Sequence, residues 1–415
     1  GVQTCALPIS FEALRLRLPV TISNALVPSL TTRNTAPASV RPYLNSMPLP
    51  TGADTTNGAA FFSAAFSNPL TINATSFRVD HNFNSKFNLF GRFNISPSKN
   101  SVRGTSTPTT VTNSEKNVTT LTFGSTWIFS SNLINEVRGN FSKNDGKSTF
   151  TNDNFGGAVP ISDALLFPSF ANPATDVVDA QAALSGFAFT RGSSVDNVQR
   201  QINLVDNFTL IAGNHQLKFG ADYRYLYPTG QPRSYALGLN FFSLASVMSA
   251  TPDLVQVTQN DKIDVSLHNF SLYGQDTWRA NNRLTLDFGL RWEYNPPPTG
   301  RNGSVLYTVD QVTNPATLLI APAGTPLYRT VKNNFAPRFG ATFKLRDKQG
   351  WETVLRGGYG VFFDLGSGNA LATSATYPHQ RVRFSGTGAG GTANPLPLPD
   401  SVLAVPPQVT FTPPF

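Results

Sequence analysis

The sequence predicts an all-β fold of antiparallel hairpins, and three observations support this prediction. Charged residues make up only 13% of the 415 residues, about half the usual share of a soluble domain. Gly, Pro, Asn, Ser and Thr are abundant whereas Lys and Glu are scarce, which favours strands and turns over helices. Apolar and polar residues also alternate with a period of two. No run of about 18 apolar residues occurs, so transmembrane helices are not expected.

The clearest alternation lies in residues 283–294, RLTLDFGLRWEY, where every second residue from Leu284 to Tyr294 is apolar. Successive side chains of a strand point to opposite faces, so this strand separates an apolar medium from a charged, wet one. Its length exceeds the roughly five to six residues of a mean soluble strand. It matches the about 9–11 residues that a transmembrane strand needs.

Ten strands are predicted in this way, and they form five hairpins. The pairs are 76–83 with 86–95, 118–129 with 133–141, 198–210 with 216–227, 264–279 with 283–294, and 338–345 with 353–364. Residues 12–18 could be the end of one further, upstream strand. Short turns join the members of each pair, whereas residues 96–117, 142–197, 228–263 and 295–337 are predicted to be long, structureless loops. Short turns alternating with long loops are typical of an outer-membrane barrel.

Alternation alone does not say which face points outward, because the apolar face of a soluble barrel fills its interior. Two features favour a membrane barrel, whose apolar face meets lipid. Opposite charges lie close together on the polar parity, and aromatic residues such as Tyr225, Tyr227 and Tyr294 lie near one strand end, as in a headgroup girdle. The predicted lipid-facing residues are Leu217, Phe219, Tyr223, Leu284, Leu286, Phe288, Leu290 and Trp292.

The polar parity predicts the wall of a lumen. Its residues are Arg78, Arg92, Glu136, Arg138, Lys218, Asp222, Arg224, Asp287, Arg291 and Glu293. They could form only a hydrated ladder of cross-strand pairs, or a wall that also contacts a plug and a passing solute. Substrate choice is expected to lie in the long loops, where Phe241, Phe242, Tyr307 and Tyr328 could offer stacking surfaces.

Other chemistry is not expected. The four histidines lie in different elements without metal-ligand spacing. Asp80 and His81 are neighbours on a strand and point to opposite faces, so they cannot act as a catalytic pair. GTGAGG at 386–391 lacks the strand and helix of a dinucleotide-binding loop. The sequence therefore predicts no enzyme, no cofactor and no metal site. The net charge of +8 is scattered rather than gathered in a basic block, so no nucleic-acid partner is expected.

The chain divides into four predicted parts. Residues 1–10, GVQTCALPIS, resemble a translated sequencing adapter, and they contain the single cysteine, Cys5. Residues 11–70 are predicted to hold the end of an upstream strand and a long loop. Residues 71–364 hold the barrel strands, and residues 365–415 a Gly/Pro-rich loop that precedes further strands.

Several segments, in this order, resemble the Oar-like group of TonB-dependent outer-membrane receptors. They are FRVDHNF (77–83), LFGRF (89–93), HQLKFGADYR (215–224), YGQDTWR (273–279), RLTLDFGLRWEY (283–294), NNFAPRFG (333–340) and LRGGYGVFFD (355–364). The resemblance implies an up-and-down antiparallel barrel of 22 strands with a plugged lumen, of which this chain supplies about ten.

The same resemblance implies location in the bacterial outer membrane and energy-coupled uptake or handling of a bulky, unknown solute. The implied partners are outer-membrane lipid, the receptor's own plug domain and TonB, the last two lying outside this chain. In this family, close approach of a plug could also explain the glycines of GGYG at 357–360, although a curvature kink would require them as well. A passive outer-membrane porin is the alternative function, and a soluble extracellular β-adhesin is a second alternative.

Overall fold

The structure, a computed structural model, describes residues 9–182, 186–195, 198–230, 233–311, 313–346, 350–364 and 378–407. The long strands are β1 (Ile9–Pro28), β2 (Ala59–Asn84), β3 (Phe87–Arg103), β4 (Thr110–Ser130), β5 (Leu133–Asn152), β8 (Gln199–Ala212), β9 (His215–Leu226), β13 (Ile263–Arg279), β14 (Leu284–Tyr294), β18 (Asn334–Arg346) and β19 (Thr353–Gly360).

Shorter strands lie in the connections between them. These are β6 (Val177–Ala182), β7 (Phe187–Val195), β10 (Thr229–Gly230), β11 (Tyr235–Asn240), β12 (Leu254–Asn260), β15 (Thr299–Arg301), β16 (Val309–Asp310), β17 (Leu319–Ile320) and β20 (Gln380–Ser385). The helices are α1 (Leu30–Thr35), α2 (Arg41–Asn45), α3 (Asp163–Leu166), α4 (Leu244–Met248) and α5 (Asp400–Leu403). Within the described ranges, no helix is both long and apolar enough to cross a bilayer.

The long strands form one antiparallel sheet, the main sheet, in which each pairs with the next long strand along the chain. Its order is β1-β2-β3-β4-β5-β8-β9-β13-β14-β18-β19. This confirms the predicted all-β, up-and-down antiparallel fold, with β1 as an eleventh strand beside the ten. In the part of the chain that the structure describes, β1 and β19 do not pair with each other, so the sheet is open.

Tight turns gather at one end of the main sheet, called here the turn end, and long connections at the other, the loop end. Asparagine side chains stabilise two of the turns in the same way. The Asn84 side-chain oxygen accepts from the backbone N–H groups of Lys86 and Phe87 at 2.8 and 2.9 Å. The Asn281 oxygen accepts from Arg283 and Leu284, both at 2.9 Å. Such local bonds explain why Asn favours turns.

Several strands extend further toward the loop end than the sequence predicted. β2 begins at Ala59, and β3 and β4 stay in register up to Arg103 and Val111, so most of the predicted loop 96–117 is paired strand. The reason is physical: alternation marks a strand only where its two faces meet different media. Toward the loop end both faces of these strands are polar, as at the Lys99–Glu115 ion pair (2.7 Å). The alternation of apolar and polar residues therefore disappears there, although the strands remain paired.

The two ends of the chain also differ from the predicted division. Ile9 and Ser10, predicted to belong to an adapter, pair with Phe77 and Ser76 as the first residues of β1; residues 1–8 lie outside the described part. β19 ends at Gly360. Residues 361–364 were predicted to continue this strand, and that part of the prediction is wrong. There the Phe362 ring lies under the Arg338 guanidinium at 4.5 Å. The C-terminal segment, predicted to be loop, contains β20 and α5.

The prediction of structureless loops at 142–197 and 228–263 is wrong. These connections and β20 form a second sheet, the loop sheet, in the order β7-β6-β11-β12-β20. The β6–β11 pair is parallel and the others are antiparallel. β7 also pairs with the upper part of β5, which attaches the loop sheet to the main sheet. β6–β7 and β11–β12 are short local hairpins, but β6 pairs with β11 of another connection and β12 with β20, so the sequence does not indicate which segments join into one sheet.

One face of the loop sheet forms the largest hydrophobic core of the described residues. Side chains such as Val178, Phe189, Leu239 and Val257 pack there against the α1–α2 connection, α3 and α4. Tyr43, from α2, lies 6.1 Å from the Phe189 ring. The loop end therefore contains a small conventional core of the kind found in water-soluble domains.

Arg33 fastens this core to the end of β1. Its guanidinium is buried and donates to the backbone carbonyls of Pro28 (3.0 Å), Met47 (3.1 Å) and Pro48 (2.6 Å). Burial lowers the pKa of Arg33 to about 10, so the side chain stays charged at neutral pH. One buried cation thus satisfies three buried carbonyls. It links the end of β1 with α1 and with the segment that follows α2.

Candidate functional site

The strand register of the main sheet separates the predicted lumen-lining and lipid-facing residues completely. Directly opposed residues of neighbouring strands share a face, so the pairs Arg78–Arg92, Asn203–Arg224 and Ser271–Glu293 trace one face across the sheet. All ten residues predicted to line a lumen lie on this charged face. All eight residues predicted to face lipid lie on the opposite, apolar face. That these faces meet a lumen and lipid remains a prediction.

The apolar face exposes large hydrophobic side chains across many strands. Phe219, Phe288 and Leu290 are 50%, 43% and 49% exposed. Phe77, Phe93, Leu121, Phe208 and Phe339 on the same face are exposed to a similar degree. The largest apolar patch of a soluble monomer is only about 300–600 Å². A face of this extent is stable where the surrounding medium is itself apolar.

Two polar pairs interrupt the apolar face. The Asp276 carboxylate forms a hydrogen bond with the His215 ring at 2.7 Å, beside Trp278 at the turn end. Asn135 donates to Asp206 on the neighbouring strand β8. Each carboxylate is thus paired on its own face, which limits the cost of placing it beside apolar neighbours.

Aromatic rings border the apolar face at both ends. At the turn end Phe83, Phe87, Trp127 and Phe129 form a chain of ring contacts with centroids 5.0–5.5 Å apart. At the loop end the Tyr225 ring stacks on Tyr227 at 4.9 Å and on His268 at 4.6 Å.

The two aromatic bands are separated by about the thickness of a barrel's apolar band. Trp278 and Phe270 on β13 belong to opposite bands and lie eight residues apart, about 27 Å along a strand. With a tilt of about 40° this becomes roughly 20 Å, close to the apolar band of about 25 Å in outer-membrane barrels.

The charged face holds a network centred on Arg291. Its guanidinium contacts Asp222 of β9 at 3.2 Å and Glu293 of its own strand at 2.9 Å. On the same face the Tyr273 ring of β13 lies over Gly220 of β9, where a Cβ atom would come within 2.5 Å of the ring. The Tyr273 hydroxyl donates to Asn207 of β8. Four adjacent strands are thereby joined on one face by charge-assisted and neutral hydrogen bonds.

A cleft of about 300 Å³ opens beside this network, lined by Lys218, Arg291 and Arg338 among others. Counting Glu293 beside Arg291, three cations (Lys218, Arg291 and Arg338) face two carboxylates (Asp222 and Glu293). In the described part of the chain no carboxylate lies within 4.0 Å of Lys218 or Arg338. The cleft therefore carries excess positive charge, which attracts carboxylates and other anions.

The other predicted lumen residues are distributed along the same face. Arg78 pairs with Asp80 at 2.6 Å, Arg92 donates to Ser76 at 3.0 Å, and Asp287 accepts from Thr277 at 2.6 Å. Glu136, Arg138 and Arg224 lie on this face by register.

The predicted stacking surfaces in the loops have different outcomes. Phe241 is 3% exposed and packs on Phe187 in the core, so that prediction is wrong for Phe241. Phe241 continues the alternation of β11, in which the side chains of Leu237 and Leu239 point into the core. The Tyr307 ring lies 5.3 Å from His379. Phe242 and Tyr328 remain exposed.

The glycines of GGYG meet different surroundings. A Cβ atom at Gly357 would contact nothing within 4 Å, whereas one at Gly358 would lie 3.0 Å from the Phe339 carbonyl oxygen. The neighbouring strand thus accounts for the close approach at Gly358.

The polar face of the loop sheet forms a cleft that the sequence did not predict. This loop cleft encloses about 400 Å³, and side chains from β6, β7, β11, β12 and β20 line it together with Thr107. Asp179, Gln181, Asn240, Gln256 and Asn260 are among them. The alternation in VVDAQA, YALGLN and LVQVTQN was the available signal, since each segment places its polar residues on one parity.

The chain is similar to solved structures of the outer membrane transporter YddB from Escherichia coli (12% identity, TM-score 0.44, covering 82% of this chain and 35% of that one) and of FpvA from P. aeruginosa bound to pyoverdines (12%, 0.43, 83% and 40%). It is also similar to the ferric-catecholate import receptor Fiu from E. coli K12 (10%, 0.40, 83% and 48%).

The chain spans less than half the length of each of these structures. No curated protein matches it. The family model of the outer membrane beta barrel domain matches residues 19–415. The chain therefore belongs to the outer membrane beta barrel domain family, and the protein resides in the bacterial outer membrane.

Proposed function

We propose that this chain forms part of the wall of a TonB-dependent transporter, which takes up a bulky solute through a plugged barrel. The observation that carries the proposal is the charged face, with Lys218 and Arg338 beside the Arg291 network. A hydrated ladder needs only matched pairs, whereas unmatched cations on a wall provide contacts for carboxylates of a plug or a solute.

The strand number supports the same proposal. Eleven antiparallel strands lie side by side without closing among the described residues. Barrels of about eight strands are filled by their own side chains, those of 16–18 leave an open channel, and those of about 22 are plugged. The resemblance of the strand segments to Oar-like receptors favours the plugged class.

In this proposal the parts of the molecule have separate tasks. The apolar face and its aromatic borders hold the wall in lipid. The charged face holds the plug in the resting state, and energy from TonB displaces it. The loop end meets the solute before it enters the barrel.

Conductance in planar bilayers tests the proposal against a passive porin. The complete gene product, purified in detergent and inserted into a bilayer, is expected to be nearly silent because a plug blocks the lumen. A steady open channel of large conductance would contradict the proposal and favour the porin. The soluble adhesin is set aside because the family is one of outer-membrane barrels.

A further inference from the structure

One face of the loop sheet is packed in the hydrophobic core, and the other is polar. Several side-chain amides lie close together on the polar face. Cross-strand register brings Gln181 beside Asn240, Gly238 beside Gln256, and Asn260 beside Gln380. Side-chain amides of three separate connections thereby meet in the loop cleft. Thr190 and Thr258 add hydroxyl groups to the same lining.

These amides are held in fixed orientations by bonds to one another. Gln380 donates to the Asn260 side-chain oxygen at 3.0 Å, and Gln256 donates to the Thr258 hydroxyl at 3.2 Å. Gln181 donates to Asn240. Each amide has two N–H donors and a carbonyl with two lone pairs. Asn260 also donates to the Arg233 backbone carbonyl at 2.8 Å, and each pair still keeps donors and acceptors for a ligand.

The cleft has no net charge in its described lining. Its charged groups are Asp179 and Arg233, whose side chains lie 3.8 Å apart and cancel each other. Burial raises the pKa of the Asp179 carboxyl, which further disfavours an isolated negative charge there. An anionic ligand would need unmatched cations, and a cationic ligand unmatched carboxylates. This lining suits an uncharged ligand rich in groups that both donate and accept.

An apolar strip follows the rim of the same face. Val382 and Phe384 of β20 are directly opposite Thr258 and Gln256, and so share the face of the cleft. They are 38% and 54% exposed. An exposed aromatic ring beside polar groups provides an electron-rich flat surface for the C–H groups of a sugar ring.

The cleft also continues into a second one. A cleft of about 730 Å³ between β1, the β3–β4 connection and β7 shares Thr107, Gln181 and Ala188 with the loop cleft. The first cleft alone is within the roughly 300–1,000 Å³ of small-molecule sites. Together the two provide room for a short linear oligomer.

We propose that the loop cleft binds a neutral oligosaccharide, with its amides holding sugar hydroxyls and Phe384 covering one ring face. The inference deepens the proposed transport function by naming the class of solute, and it rests on that function only for the step after binding.

Glycan binding to outer-membrane vesicles that carry the protein tests this inference. The probes are arrays of short neutral glucans, xylans, mannans and galactans, their uronate-bearing counterparts, and uncharged peptides. Binding to one neutral group is expected, and its best member is then titrated. Binding confined to uronates or peptides, or binding to no array member, would overturn the proposal.

Three variants locate the site on the protein. Asn240→Leu with Gln256→Met keeps the length of both side chains but removes two amides, and should weaken binding roughly ten- to thirtyfold, since each hydrogen bond contributes about 1 kcal/mol. Phe384→Ala should weaken it several-fold, and because Phe384 is exposed this variant keeps the fold. Phe170→Ala, at an equally exposed phenylalanine (53%) outside the lining of the cleft, is the matched control and should bind as the wild type does.

Unchanged binding in both test variants would overturn the inference. Its failure is distinguishable from failure of the proposed function. Tight glycan binding without TonB-dependent uptake would refute only the transport proposal. TonB-dependent uptake of another solute, unaffected by the double variant, would refute only the glycan site.

Discussion

The main sheet and the loop sheet use the same alternation of apolar and polar residues for opposite purposes. On β14 the apolar side chains are exposed, as Phe288 is at 43%, and the polar ones form a half-buried network around Arg291. On β7 the apolar Phe189 is 1% exposed, and the polar face is open. Alternation thus specifies an apolar and a polar face, while the surrounding medium determines which of the two is packed inside the protein. The largest expected effects of substitution follow from this difference.

Phe189→Ala should have the largest effect, confined to the loop sheet. Removing a fully buried aromatic ring from a core costs about 3–5 kcal/mol, and the loop-sheet core is small. We expect the β6–β7 and β11–β12 segments to become sensitive to protease on whole cells, while the main sheet remains resistant. Phe242→Ala, at an exposed ring two residues after β11, is the control. Equal loss of the main sheet would show that the two sheets fold as one unit.

Phe288→Arg should have the next largest effect, confined to the main sheet. A cation on the apolar face costs roughly 2–4 kcal/mol at the bilayer midplane and less near its borders. Thr285→Arg, three residues away on the charged face, should be mild. Urea unfolding of both variants in lipid vesicles measures the difference. Equal destabilisation would contradict the assignment of the apolar face to lipid.

The two sheets also differ in how much of their structure the sequence predicts. The ten predicted strands and the separation of faces could be found from residues such as Leu284 to Tyr294, because lipid on one face imposes a strict pattern. The polar extensions of β3 and β4 could not, since water on both faces leaves no pattern. The loop sheet could not either, because β6 pairs in parallel with β11 from another connection and nothing local specifies that partner. Its cleft was missed for the same reason.

Gly220→Ala should have a moderate effect on the charged face. The new Cβ atom would come within 2.5 Å of the Tyr273 ring, so the ring must leave the strand surface and its bond to Asn207. Overpacking of this kind costs about 1–3 kcal/mol. In a Tyr273→Ala background the same change should cost almost nothing, which a double-mutant cycle of unfolding free energies would measure. An unchanged cost there would mean that the ring is not the obstacle.

Lys99→Ala should have the smallest effect. Lys99 and Glu115 form an ion pair at 2.7 Å, but their side chains are 69% and 61% exposed. Exposed pairs contribute about 0–1 kcal/mol. We expect unfolding free energies of Lys99→Ala and Glu115→Ala to stay near that of the wild type. A loss well above this range would show that the polar extension depends on charge as well as on backbone pairing.

The central claim is that the apolar face of the main sheet meets lipid, whereas the apolar face of the loop sheet is buried in a protein core. Nitroxide scanning of β14 and β11 in lipid vesicles tests this claim most directly. Along β14, collisions with oxygen dissolved in the bilayer should peak at 284, 286, 288, 290 and 292, and collisions with an aqueous nickel complex at the positions between them. Along β11, positions 235, 237 and 239 should be protected from both reagents. Protection of the apolar parity of β14 from oxygen, as in a dry protein core, would contradict the account.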